Sequence, residues 1–247
     1  MKHLVYIFLF ITSFVFAQSG FEKGNVLYQK GQYEQAIQAY ESVLDSRQQS
    51  ADLYFNLGNC YYKLNKVAPS IYNYEKALVF APEDVDITNN LKFAQKLTID
   101  EVKEVPKVGF AKLLHDFTGM YHYNTWAWIS IVFGLMFLGF FIGYYFSLAV
   151  VLKRIFFFGM FVWVLFLLVS VGAAIFERNH FVTDRPAIVF AEVTEVKSEP
   201  QKASPVTFIL HEGTKVFVKE ILGKWKKIEL TDGTEGWIES GAIREVK

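Results

Sequence analysis

The chain has 247 residues, 25 basic and 25 acidic side chains, 52% hydrophobic residues and a mean hydropathy of +0.22. Balanced charge lacks the basic surplus that phosphate neutralisation requires, so no nucleic-acid partner is expected. A single cysteine, Cys60, excludes an internal disulfide framework and a cysteine-built zinc site; His3, His115, His122, His180 and His211 show no helical metal-ligand spacing, so no metal is expected.

Residues 1–17 read as a secretory signal peptide. Lys2 and His3 precede an apolar run, Leu4 to Phe16, and Ala17 supplies a small residue before Gln18. The run is short for a membrane span, although an uncleaved anchor is the alternative reading.

Residues 18–97 contain an internal repeat. FEKGNVLYQKGQYEQAIQAYESVL from Phe21 aligns with FNLGNCYYKLNKVAPSIYNYEKAL from Phe55 at an offset of 34. A 34-residue period with small and aromatic residues at fixed places is the tetratricopeptide signature, a stack of antiparallel helix pairs. The second copy fits through Tyr54, Leu57, Gly58, Tyr61, Ser70, Tyr74, Ala77 and Pro82; the first departs at Gly20 and Lys23. Gly24, Gly58, Ala36 and Ser70 are small where helices cross, and Tyr40, Tyr74 and Leu57 fill the space between them. EDVDITNNLKFAQKL after Pro82 resembles the first helix of a third unit and ends as a cap.

In this family the first helix of each unit lines a concave groove. The resemblance places Phe21, Asn25, Tyr28, Phe55, Asn59, Tyr62, Asn89 and Phe93 there. Amides and aromatics suit an extended peptide or a partner helix, while Tyr28 and Tyr62 are equally readable as core. One subclass clamps a C-terminal carboxylate. The corresponding positions are Phe21, Asn25, Asn56, Asp86 and Asn90, which lack the cations, so no such clamp is expected. Cys60 reads as a buried, inert thiol.

Residues 98–122 form a linker with an amphipathic segment, Phe110 to Leu114, suited to a membrane surface. From Phe117 to Phe176 the only Lys, Arg, Asp or Glu are Lys153 and Arg154. The interval divides into two expected transmembrane helices, 123–148 and 155–176, around a cytoplasmic hairpin at 149–154. The signal peptide and the basic hairpin both place the N-terminal repeats and the C-terminal segment outside the cytoplasm. Tyr121, Tyr123, Trp126 and Trp128 gather at the outer interface. Neither span holds an ionisable residue, which argues against transport. Gly134, Gly139, Gly143, Gly159, Gly172 and Ala173 are candidates for close helix packing.

Residues 187–246 alternate in short runs: Val189 to Val196, Val206 to Leu210, Lys215 to Ile221, Trp225 to Leu230 and Glu235 to Ile238. Turn signals at Pro200, Gly213, Gly223 and Asp232-Gly233 separate them. Five strands in sixty residues indicate a small β-barrel. Gly213, Trp225, Ile228, Gly233, Gly236 and Trp237 resemble the bacterial SH3-like domain, while the arginine-bearing start usual in that family is absent. Such domains bind peptides or cell-wall fragments through exposed aromatics, which makes Trp225 and Trp237 ligand candidates. Filling the core of so small a barrel is the competing and stronger demand on them. Lys224, Lys226 and Lys227 read as a solvated edge.

The expected architecture is therefore multidomain: α-helical repeats, a two-helix membrane hairpin and a small SH3-like β-barrel. No phosphate loop, dinucleotide turn or nucleophile elbow is present, so the chain reads as a non-enzyme with no catalytic residues and no cofactor. In this order the modules resemble the BatE family of the Bacteroidetes aerotolerance (Bat) operon. That resemblance implies an inner-membrane protein with both soluble parts in the periplasm. It also implies protein partners of two kinds, a MoxR-type ATPase system and membrane proteins with von Willebrand factor A domains. The residues themselves leave two readings: a membrane-held scaffold for protein partners, and a peptidoglycan sensor acting through the SH3-like domain.

Overall fold

A computed structural model of the chain describes residues 20–101 and 109–247. The expected signal peptide and the centre of the expected linker lie outside the described residues. The chain divides into two compact units. One joins the N-terminal part, up to Val105, with Arg185–Lys247; the other is Pro106–Asp184.

The first unit begins with helices α1 (20–29), α2 (Tyr33–Asp45), α3 (Ala51–Lys63), α4 (Val67–Phe80) and α5 (Val85–Gln95). Ser50 caps α3 by accepting from the Leu53 amide, and Asp84 caps α5 by accepting from the Asp86 and Ile87 amides. The turns α1–α2 and α3–α4 are copies of one another. Gly31 (φ 74°) and Asn65 (φ 56°), 34 residues apart, both adopt the left-handed conformation, and their amides donate to the Tyr28 and Tyr62 carbonyls. Glycine and asparagine are the residues that tolerate this backbone at least cost.

The repeat core is built from Tyr40, Tyr74, Leu53, Leu57, Ile71, Ala36, Ala77 and Cys60, all essentially inaccessible. A Cβ on Gly24 would lie 2.3 Å from the Tyr40 ring, and one on Gly58 would lie 2.6 Å from the Tyr74 ring. The small residues that mark the 34-residue period therefore exist to admit a tyrosine from the facing helix.

The C-terminal β-domain completes this unit. Among the described residues it has seven strands: β1 (Pro186–Val189), β2 (Val193–Lys197), β3 (Val206–His211), β4 (Lys215–Leu222), β5 (Trp225–Glu229), β6 (Glu235–Glu239) and β7 (Ile243–Glu245). They form one antiparallel sheet in the order β3-β2-β6-β5-β4-β1-β7. All seven contribute to a single core that includes Val189, Val196, Leu210, Val216, Ile228, Ile238 and Ile243. The expected single run from Val189 to Val196 is split, because residues 190–192 turn the chain between β1 and β2. The short β7 was not legible as a strand.

Strand β1 is buried on both faces. Ala187 and Val189 face the sheet core, whereas Ile188, with Val246, joins the repeat core. Phe190 meets Tyr72 edge-on, with ring centroids 5.5 Å apart, and the Arg244 guanidinium lies 4.1 Å from the Phe190 ring. Lys215 Nζ donates to both Glu75 carboxylate oxygens at 2.8 Å. Asp100 accepts from the His211 amide and imidazole, each at 2.7 Å, and from the Thr214 hydroxyl at 2.5 Å. Between these contacts Gly213 adopts φ 87°, and a Cβ there would press on Thr98 and Val67. Repeats and β-domain thus share a core, although the sequence reads them as separate modules.

The second unit holds α6 (Gly109–Thr118), α7 (Tyr123–Phe146) and α8 (Val150–Thr183). At 1.5 Å per residue the two long helices measure about 36 and 51 Å. Both are long and apolar enough to cross a membrane. Among the described residues, those they bury are Trp126, Ser130, Ser170 and Ala173. Ser130 donates to Ser170 across the pair at 2.9 Å. Gly143 and Gly159 receive Phe156 and Phe140 from the opposite helix, while Gly134, Gly139 and Gly172 meet nothing among the described residues. Helix α8 begins five residues earlier and ends seven later than the expected span. Lys153 and Arg154 therefore lie in its first turns, and the connection between the helices is only residues 147–149.

Candidate functional site: the repeat groove and the outer face of the β-domain

The inner helices α1, α3 and α5 carry a repeated hydrogen-bond ladder. The Tyr40 hydroxyl donates to Asn25 Oδ1 at 2.7 Å, and Asn56 Nδ2 donates to the same oxygen at 3.0 Å. One repeat later, Tyr74 donates to Asn59 Oδ1 at 2.7 Å and Asn90 Nδ2 donates to it at 2.9 Å. Each step is a shift of 34. Each asparagine oxygen thus receives two donors, one from within its repeat and one from the next, which fixes the spacing between units. Burial pushes the Tyr40 and Tyr74 phenols well above their ordinary range, so both remain donors at any physiological pH.

Above the second rung lies a groove of about 220 Å³ lined by Tyr28, Asn59, Tyr62, Lys63, Tyr74, Asn90 and Phe93. Of the eight residues expected to face a partner, Tyr28, Asn59, Tyr62 and Phe93 come together here. Asn25 sits at the first rung. Phe21 and Phe55 pack on Tyr40 and Tyr74 at 5.8 and 6.0 Å and so support the core. Asn89 is exposed outside the groove lining. Tyr28 and Tyr62 are half-buried: they back on the core and also face the groove. Sequence reasoning missed Lys63, Tyr74 and Asn90. The signal for Asn90 was present, because Asn56 and Asn90 are also 34 apart.

The lining offers aromatic surface, amide groups and a lysine. Phe93 is 52% exposed, and Lys96 reaches over its ring at 5.2 Å. Such a surface can stack apolar side chains and hydrogen-bond a backbone; it presents no nucleophile–base pair.

On the β-domain, Trp225 and Trp237 are both half-buried and neither belongs to the core, which aliphatic residues fill. Register explains this. Trp225 and Lys227 alternate with the buried Ile228 on β5, and Trp237 lies opposite Lys227 on one side and Lys197 on the other. Both indoles therefore belong to the outer face. The basic cluster is largely paired, Lys226 with Glu245 and Lys227 with Glu235.

Comparison with known families agrees with this architecture. The TPR repeat family matches residues 24–65, the tetratricopeptide repeat family matches 51–84, and the bacterial SH3 domain family matches 194–245. Among curated proteins, Tetratricopeptide repeat protein 16 of Macaca fascicularis is 26% identical over 88 residues, which is 36% of this chain and 9% of that protein. The chain thus spans under a tenth of the length of this relative. It carries tetratricopeptide repeats, two apolar helices and a bacterial SH3 domain, modules that typically mediate interactions.

Proposed function

We propose that the protein is a membrane-anchored scaffold whose repeat groove holds an extended peptide or a helix of a protein partner. The observation that carries this reading is the groove itself, in which Tyr28, Tyr62 and Phe93 supply apolar surface beside the Asn90 amide and Lys63. The membrane anchor is α7 and α8. In a soluble core such helices would be buried; here Phe, Leu and Val side chains point outward along both, the surface that lipid requires. With the basic turn on the cytoplasmic side, repeats and SH3-like domain lie together in the periplasm. Resemblance to the BatE family supports an aerotolerance or envelope-stress complex with a MoxR-type ATPase system and von Willebrand factor A domain proteins as partners.

The test is in-cell crosslinking of tagged protein, comparing wild type with Tyr62→Ala/Phe93→Ala. These side chains line the groove without belonging to the ladder, and because Tyr62 also packs against the core, circular dichroism of the purified variant checks that the fold is retained. Partners that disappear in the variant support the groove; partners that persist refute it. A second reading, peptidoglycan binding by the SH3-like domain, is favoured by the outward placement of Trp225 and Trp237. Retention of wild type, but not of Trp225→Ala/Trp237→Ala, on purified sacculi would support it.

A further inference from the structure

Helix α6 meets the two long helices of its unit at its C-terminal end. Exposure falls from 79% at Phe110 and 68% at Leu113 to 42% at Phe117 and 2% at Thr118. That last turn is pinned. The Thr118 hydroxyl donates to Glu177 Oε1 of α8 at 2.6 Å, and the Trp126 indole of α7 donates to the Thr118 carbonyl at 2.7 Å. Glu177 is the first charged residue of α8 after Arg154, so it marks the end of the apolar part of that helix. The side chains of α6 divide by face. At about 100° per residue, Phe110, Leu113, Leu114 and Phe117 fall within an arc of about 100°, and Lys112, His115 and Asp116 lie on the opposite side.

The apolar arc faces the same way as the apolar span. Phe117 packs on Trp126 with ring centroids 5.3 Å apart, and both line a cleft of about 480 Å³ together with Phe133, Leu165 and Ser170. Ser170 and Leu165 lie about 10 and 18 Å along α8 from Glu177, inside its uncharged stretch. Phe117 therefore projects from the pinned turn toward the apolar part of the helix pair. We propose that α6 is an interfacial helix lying on the bilayer, with Phe110, Leu113, Leu114 and Phe117 inserted at the headgroup–acyl boundary and Lys112, His115 and Asp116 in water. The inference rests on the membrane-anchor reading of α7 and α8. Two observations select lipid as the occupant. The hydrogen bonds at Thr118 set the arc at the edge of the apolar layer, and through Phe117 the arc continues into surface that the anchor reading already gives to lipid. Tyr121 and Trp128, exposed at the same end of α7, are residues that favour that interface. The polar face sets Lys112 against Asp116, so burial of apolar surface, rather than attraction to anionic lipid, holds the helix.

Spin labelling of the full-length chain in phosphatidylethanolamine–phosphatidylglycerol nanodiscs tests this. In a Cys60→Ala background a nitroxide is attached at Leu113→Cys, at His115→Cys and at Phe161→Cys. His115 is exposed about 160° around α6 from Leu113, and Phe161 is exposed on α8. Collision with oxygen reports lipid, and collision with a water-soluble nickel chelate reports water. The expected oxygen-to-nickel ratio at Leu113 is at least about threefold above that at His115, with Phe161 higher still. Phe110→Cys, on the same arc, gives the same reading should the Leu113 variant fold poorly. Equal, water-like ratios at Leu113 and His115, with Phe161 in lipid, overturn the proposal and leave the anchor standing. Phe161 in water removes both. Lipid-like ratios on both faces of α6 mean an immersed helix and overturn the proposal. A Leu113 label shielded from oxygen and nickel alike means a protein contact, a second copy or a partner, and also overturns it.

Discussion

Lys215→Met is expected to loosen the seam between α4 and the paired strands β1 and β4, because Lys215 opens β4 opposite Ile188 of β1. Glu75 is 7% exposed and its carboxylate receives Lys215 Nζ at both oxygens. Removing one partner of a buried pair leaves an uncompensated charge and costs about 3–5 kcal/mol. Lys215 keeps 31% of its side-chain surface, so solvent screens part of that attraction and about 2–3 kcal/mol is the working figure. Hydrogen exchange of the full-length chain in micelles, followed by mass spectrometry, reads this directly. Peptides covering α4, β1 and the start of β4 should exchange roughly 30- to 150-fold faster than wild type. The double variant Glu75→Leu/Lys215→Met, which removes the stranded charge, should recover most of the protection. A single variant within about threefold of wild type, or a double variant as labile as the single, would refute the reasoning.

Gly58→Ala gains about 1 kcal/mol of helix propensity but drives a methyl to 2.6 Å from the Tyr74 ring. It should be destabilising by about 1–2 kcal/mol net in denaturant titrations, and a stabilised variant would contradict the packing described. Burial opposes ionisation of Asp100, but hydrogen bonds from Thr214 and His211 and the charge of His211 outweigh it and hold the carboxyl below its ordinary value. A depressed carboxyl stabilises the fold in full above the unfolded value of about 3.9 and loses that contribution as pH falls through the folded value. Wild type should therefore lose protection of the 211–214 turn below about pH 4, whereas Asp100→Asn should be weaker at neutral pH and flat across that window. Burial pushes the Cys60 thiol up to about 12. Native protein should resist alkylation at pH 8 and react at once in guanidinium, and rapid native labelling would show that the repeat core opens.

Much of this fold was legible because its signals are periodic. A 34-residue shift that maps Gly24 on Gly58 and Tyr40 on Tyr74 states which helices cross and what fills the crossing. The same shift, applied to Asn25 and Asn56, contained the ladder, but a sequence does not show that an amide oxygen will receive two donors, so Asn59 read as a ligand contact when it is equally a structural one. Two long apolar stretches announced α7 and α8; α7 ends two residues short of its expected limit, whereas α8 overruns its own at both ends, because a helix can continue through charged residues such as Lys153, Arg154, Glu177 and Arg178. Strand alternation found the body of the β-domain and missed β7, three residues long. The outward placement of Trp225 and Trp237 was hidden because composition gives no register. The shared core of repeats and β-domain was least legible of all. It depends on Ile188 and Val246 joining the repeat core, and on Glu75 and Asp100 meeting Lys215 and His211 at separations of 140 and 111 residues, and no local pattern encodes such a meeting.

The central claim is that the inner face of the repeats holds a partner. A photo-crosslinking amino acid placed in turn at Tyr62, at Phe93 and at Glu34, an exposed position on the second helix of the first repeat, tests it in living cells. Adducts of defined mass from Tyr62 and Phe93, and none from Glu34, are the predicted result. Adducts from Glu34 alone, or equally from all three positions, would contradict it.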